Sequence, residues 1–214
     1  MRAGWLGTVG CFRLTLDAIE FFVYSRAAPS AAEIEDDPAL HEEHWSYMDR
    51  FGAGMIARGP TLATDRATWT GSLHIVDLPS AEAAHQFVER EPYNRAGLFE
   101  HHLVRRFRNL LGRTMWESLA DPEAPRFLVI AQAPAAAGEP ARAVPLPDLT
   151  ALARERLFVH GELLTPDEAR PAGVALALQA PTRQAVDALL RGPRVRLDEH
   201  LDVQILDWEF GGRR

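Results

Sequence analysis

The chain has 214 residues, 47% of them hydrophobic and 25% charged, an ordinary composition for a soluble globular protein of one or two domains. Its formal net charge of −7 and pI of about 5.6 repel a phosphate backbone, so no nucleic-acid partner is expected. The densest basic patch, Arg105, Arg106 and Arg108, is too small to change that, and the single cysteine, Cys11, cannot form an internal disulfide, which fits a reducing cytoplasm.

In chain order, residues 1–18 carry a short Gly-broken apolar run with no small-residue cleavage site and read as an N-terminal extension. No segment reaches the roughly 18 apolar residues of a membrane span, so no membrane partner is expected. Ile19–Tyr24 is short, aromatic and β-branched, which predicts a buried strand. Asp37-Pro38 supplies an N-cap and a first-turn proline. Leu40, Tyr47, Met48 and Phe51 then fall at helical spacing, predicting a helix over 38–53 that Gly54 ends. Met55–Leu62 and Trp69–Leu78 read as strands, Pro79-Ser80 opens a helix to about Arg90, Glu91-Pro92-Tyr93 is a turn, and Leu98–Phe107 is a strand. The order is βαββαβ, the ferredoxin-like arrangement.

The remainder repeats it. After a linker at 118–125 come a strand at Phe127–Ala133, a loop at 134–147, a short helix at 148–156 and a strand at Leu157–Leu164. A strand at Val174–Leu178, a helix at Thr182–Arg191 and a strand at Leu201–Phe210 follow. Gly59 and Gly161 are separated by 102 residues (161 − 59), and Leu62/Leu164, Gly71/Gly173, Pro79/Pro181 and Ala83/Ala185 share that offset. The competing reading is one domain of about 200 residues with similar elements. A tandem pair makes physical sense. In the third strand Trp69, Leu73 and Ile75 alternate with His74, Val76 and Leu78, so both faces are largely apolar and want a covering layer. The expected fold is α+β: two ferredoxin-like units packed sheet to sheet as an intrachain dimeric α+β barrel, 19–117 carrying the site and 126–214 structural. A homodimer beyond the fused pair stays open.

Five segments of the first half occur in a telling order: H-W-S-Y-M (44–48), G-P (59–60), T-G-S-L-H-I-V (70–76), S-A-E-A-A (80–84) and E-P-Y-N-R-A-G (91–97). Over residues 19–108 the chain resembles the YCII-related (YciI-like) family. That resemblance implies a dimeric α+β barrel whose site pairs a histidine of the first helix with an aspartate in a D-P-Y turn. His44 then takes the histidine role and Glu91 stands at the aspartate position, one methylene longer. His41 occupies a position where the family often has arginine. One branch of the family resembles a dehydrochlorinase of aromatic-ring breakdown, which implies lyase chemistry. At the 102-residue offset, His44, Glu91 and Tyr93 fall on Leu146, Pro193 and Val195, so the second half carries no such pair.

His44 shares a helix stripe with Leu40, Met48 and Phe51 and so faces the sheet. Alone it reads as a buried, backbone-satisfied histidine; beside a carboxylate it becomes a candidate acid–base dyad for moving a proton next to a carbonyl. His41 and His44, spaced i, i+3, depart from the H-E-x-x-H pattern, and no metal is expected. His101 and His102 face opposite sides of their strand. Arg58 and Arg95 are candidate anchors for a carboxylate substrate or plain surface residues. Tyr93 is a hydroxyl donor or a packing ring, and Trp69 a pocket wall or core residue. There is no phosphate loop, dinucleotide fingerprint or nucleophile elbow, and no cofactor is expected. Two functions follow: a small-molecule enzyme of lyase or isomerase type, or a non-catalytic module that binds a small-molecule ligand.

Overall fold

The computed structural model describes residues 19–31, 37–118, 121, 123–134, 156–165, 170–193, 195, 197 and 200–211. The expected extension at 1–18, the expected helix at 148–156 except for its last residue, Leu146 and most of the loop at 134–147 lie outside the described residues.

The first half runs β1 (Ile19–Ala27), α1 (Pro38–Asp49), β2 (Met55–Leu62), β3 (Trp69–Leu78), α2 (Ala81–Glu89), α3 (Pro92–Arg95) and β4 (Phe99–Asn109). The second runs β5 (Arg126–Gln132), β6 (Leu157–Leu164), β7 (Pro171–Gln179), α4 (Arg183–Arg191) and β8 (Asp202–Trp208). The Glu91-Pro92-Tyr93 segment, expected as a turn, is one helical turn with Glu91 as its N-cap.

The eight described strands close into one antiparallel barrel in the order β1-β3-β2-β8-β5-β7-β6-β4. The expected intrachain α+β barrel thus forms as one continuous wall, and closure leaves no edge among the described strands. Each half has the same internal order, β4-β1-β3-β2 and β8-β5-β7-β6, and the halves meet at two short seams. At one, β2 pairs with β8 through Thr61↔Trp208 and Leu62↔Asp207; at the other, β4 pairs with β6 over Phe107↔Leu163 to Asn109↔Gly161. The 102-residue offset holds in the register itself. Gly59 pairs with Leu73 and Gly161 with Ala175, and the two hairpins carry their irregularities at matching places, next to Thr61/Leu62 and Leu163/Leu164. Gly59 and Gly161 are equivalent in a second way: a Cβ at either would overlap a backbone carbonyl of the strand crossing the seam, that of Glu209 or of Arg108.

Alternation along the strands splits the core as the two-faced third strand demands. Phe22, Leu73, Ile75, Leu128, Ile130 and Trp208 point into the barrel. Phe21, Val76 and Leu78 point outward beneath Tyr47, Met48 and Phe87 of α1 and α2, and Val129, Leu176 and Leu178 lie beneath Val186 and Leu190 of α4. Trp69 departs from its expected place beside Leu73 and Ile75. Opposite Thr61/Leu62 the pairing steps from Gly71 to Trp69, so β3 carries one extra residue there. That bulge turns the indole to the outer face, against Tyr93 and Phe99.

Candidate active site

The site forms on the outer face of β2 and β3, under α1 and α3. Asp37 fixes the start of α1: its carboxylate accepts from the N–H groups of Ala39 (2.9 Å) and Leu40 (3.3 Å), and Pro38 pre-sets the first turn. Asp37→Ala is expected to cost about 1 kcal/mol, read as a lowered thermal midpoint.

Two turns along α1, His44 meets Glu91, its Nδ1 lying 2.6 Å from Glu91 Oε1. Both side chains are sheltered, at 12% and 5% exposure. Glu91 Oε2 accepts from the Asn94 N–H at 2.7 Å, closing the cap of α3. With the carboxylate accepting at both oxygens, Nδ1 of His44 is assigned as the donor, which leaves Nε2 as the basic nitrogen of an imidazole that lines the cleft. The Tyr93 ring lies flat on the His44 imidazole, with centroids 4.0 Å apart and planes 6° from parallel. Its hydroxyl shares a 2.5 Å hydrogen bond with His41 Nδ1. The imidazole of His44 is thus held at its edge by Glu91 and on its face by Tyr93.

These groups border a cleft of about 280 Å³. Trp45, Trp69, Tyr93 and Phe210 give it aromatic walls; Arg58 and His74 lie on its floor. Arg58 is buried, with its guanidinium 3.7 Å from Asp49 and over the Trp116 ring at 6.0 Å. No Asp or Glu lines the cleft among the described residues. The second half supplies the rim: the chain after β8 continues along β2, with Glu209 N–H donating to the Pro60 carbonyl and Gly211 N–H to that of Arg58. This places Phe210 and Gly211 at the mouth.

Of the expected site residues, His41, His44, Arg58, Trp69 and Tyr93 line the cleft, and Glu91 stands behind His44. Arg95, read as an anchor or a surface residue, takes the surface alternative: it ends α3 exposed and does not line the cleft, because a four-residue helix that turns Tyr93 inward sends Arg95 outward. His102 stays outside as well. Its Nε2 donates to Asn94 Oδ1 (2.8 Å) and its Nδ1 bonds the Ser25 hydroxyl (2.9 Å), which braces α3 from the β4 side. Sequence reasoning missed His74, Ser72, Met48 and Phe210. For His74 a signal existed: a histidine interrupts the apolar S-L-H-I-V run of β3.

Burial drives the His74 pKa well below the usual histidine value, helped by the neighbouring His44 and Arg58. Burial and the adjacent His101 lower His102 too, against a smaller upward pull from Glu91. Both are neutral in the fold near pH 7. As pH falls below about 6.5, the unfolded chain takes up their protons first. Stability present above that pH is therefore lost on descending toward the lower folded values. His74→Leu is expected to remove its share of this slope, up to about 1.4 kcal/mol per pH unit. Urea midpoints at pH 7 and 5.5 check it; parallel losses in both proteins would mean that His74 is charged in the fold.

In the second half the corresponding positions are apolar. Leu176 stands for His74 and Val195 for Tyr93, and both pack with Leu111, Val174 and Leu190. Pro193 takes the place of Glu91 and is exposed.

The YCII-related domain matches residues 19–108, the segment that carries Glu91 and every residue lining the cleft except Phe210 and Gly211. A 5-chloro-2-hydroxyhydroquinone dehydrochlorinase from Burkholderia phenoliruptrix AC1100, solved in complex with 2,5-dihydroxybenzoquinone, is 30% identical over 42% of this chain and 94% of its own, at a TM-score of 0.38. The chain belongs to the YCII-related family. Two candidate monooxygenases are similar over nearly the whole length. One, from Lactobacillus acidophilus NCFM, is 9% identical over 92% of this chain and 98% of its own, at a TM-score of 0.47. The other, from Fusobacterium nucleatum, is 6% identical over 92% and 94%, at 0.49. No curated protein matches the chain. Within the matched segment one carboxylate, that of Glu91, serves as both the cap of α3 and the partner of His44. No described helix is long and apolar enough to cross a membrane.

Proposed function

We propose that this protein is a proton-transfer enzyme of lyase or isomerase type, acting on a small oxygenated ring compound with His44 and Glu91 as its acid–base dyad. The observation that carries the reading is the 2.6 Å contact between His44 and a sheltered Glu91, at the wall of a cleft that His44 itself lines. A base must be oriented and within reach of the substrate proton, and Glu91 with the Tyr93 ring supplies the orientation. The step is redox-neutral. His44 Nε2 takes a proton from carbon or from a ring hydroxyl, and the electron pair left behind forms a new double bond. A leaving group then departs with its own pair (lyase), or the proton returns at another carbon (isomerase). The ring class is supported by the aromatic walls and by the family relative, which acts on a chlorinated hydroxyhydroquinone. Elimination of HCl fits the same scheme from the keto tautomer of such a ring, in which the chlorine-bearing carbon has gained a proton: His44 takes a ring hydroxyl proton, the pair left behind forms C=O and shifts the ring double bond, and chloride departs with its own pair to leave a hydroxyquinone.

The filled second site favours one other reading, a binding module that lacks turnover. Chloride release from 5-chloro-2-hydroxyhydroquinone separates the two. An enzyme releases chloride, and Glu91→Gln lowers the rate on the order of tenfold or more. Ligand-induced thermal stabilisation with no chloride released would establish the binding module instead.

A further inference from the structure

We propose that His74 and Arg58 form an oxygen-anion subsite on the floor of the cleft, receiving an ionised ring oxygen of a planar substrate while His44 works on the proton beside it. The inference rests on the proposed function and names the chemistry its substrate must carry.

His74 and Arg58 are cross-strand partners in the β2–β3 ladder, so their side chains leave the same face side by side. His74 is only 4% exposed, yet neither ring nitrogen makes a hydrogen bond among the described residues, and the ring lines the cleft. A buried histidine normally finds a partner within the protein. Here the ring is presented to whatever enters. Its centroid is 6.0 Å from that of His44, a separation that lets one small ring touch both. The bordering charges agree: Arg58 and three histidines face the cleft, and no carboxylate lines it among the described residues. A neutral imidazole donates one N–H to the oxygen, and the guanidinium supplies the charge. The aromatic walls, Trp69 and Tyr93 foremost, select a flat ligand.

Packing alone does not explain the histidine. The same fold accepts leucine at the equivalent position of the second half, where Leu176 is fully buried. His74 can therefore be removed without leaving a hole that the architecture is unable to fill.

The test is equilibrium binding of 2,5-dihydroxybenzoquinone, followed by absorbance, to the whole protein and to His74→Leu, His74→Gln and His44→Ala, with thermal unfolding of each. His74→Leu is expected to keep its thermal midpoint and lose about tenfold or more in affinity. His74→Gln, which keeps an N–H donor, is expected to recover part of that loss. Wild-type affinity in His74→Leu overturns the subsite, as does a wild-type protein that fails to bind the quinone. If His74→Leu lowers chloride release through weaker binding while His44→Ala turns over normally, the subsite stands and the dyad falls. If His44→Ala loses turnover and His74→Leu binds normally, the dyad stands and the subsite falls.

Discussion

His44→Ala is expected to lower turnover by about 10²- to 10⁴-fold, the range a positioned general base supplies. Most of the ligand-induced thermal stabilisation should persist, because the walls of the cleft remain. Removing the ring leaves Glu91 still capping α3 through the Asn94 N–H, so the local fold has no cause to collapse. The Tyr93 ring loses the surface it lies on, but its hydroxyl stays tied to His41. The loss should therefore fall on kcat and leave KM largely unchanged, the signature of an interaction made in the transition state. A fall in KM-linked affinity with kcat preserved would assign His44 to binding and leave the base to another group.

Trp208→Ala is expected to destabilise the protein by about 3–5 kcal/mol, the usual cost of deleting a buried tryptophan side chain. The indole is fully buried in the barrel, with ring neighbours Phe158 at 6.1 Å and Phe210 at 5.4 Å. It also sits on the shorter seam, where β2 and β8 share only Thr61↔Trp208 and Leu62↔Asp207 as ladder pairs. Next to it, Asp207 is bridged by Arg66 from the β2–β3 loop (2.8 Å) and by Arg183 of α4, which ties the two halves across that seam. Phe210 and Gly211 at the mouth of the cleft hang on the same strand. Loss of Trp208 should thus weaken ligand binding as well as the fold. Urea unfolding read beside quinone binding checks both; an unchanged unfolding midpoint would mean that the seam does not limit stability.

Much of this was legible in the residues, for reasons that can be named. The outer bounds of β2 and β3 were readable because Gly54 and Pro79-Ser80 punctuate the apolar runs, and β6 at Leu157–Leu164 keeps the bounds of β2 at the constant offset. The pairing of His44 with Glu91 was legible only through the family resemblance that the order of motifs carries; the helix stripe added that His44 faces the sheet. What escaped depends on contacts far apart in sequence or on single backbone steps. The side on which Trp69 emerges is set by one extra residue in β3, which strict alternation cannot foresee. The place of Phe210 in the first half's cleft follows from closure of the barrel, not from any pattern near residue 210. Arg95 stayed open between anchor and surface residue because the direction of the fifth residue of E-P-Y-N-R is set by a one-turn helix that the segment alone reads as a turn. His74 looked like a strand residue; its chemistry shows only when Arg58 and His44 are brought beside it.

The most direct test of the central claim is the protonation pattern of the His44 imidazole, read by ¹⁵N-edited NMR of the ring in wild-type protein and in Glu91→Gln. Nδ1 is expected to carry the proton donated to Glu91 and Nε2 to be the basic nitrogen facing the cleft, with this preference lost in Glu91→Gln. A wild-type ring protonated at Nε2 with a bare Nδ1, or one unchanged by Glu91→Gln, would contradict it.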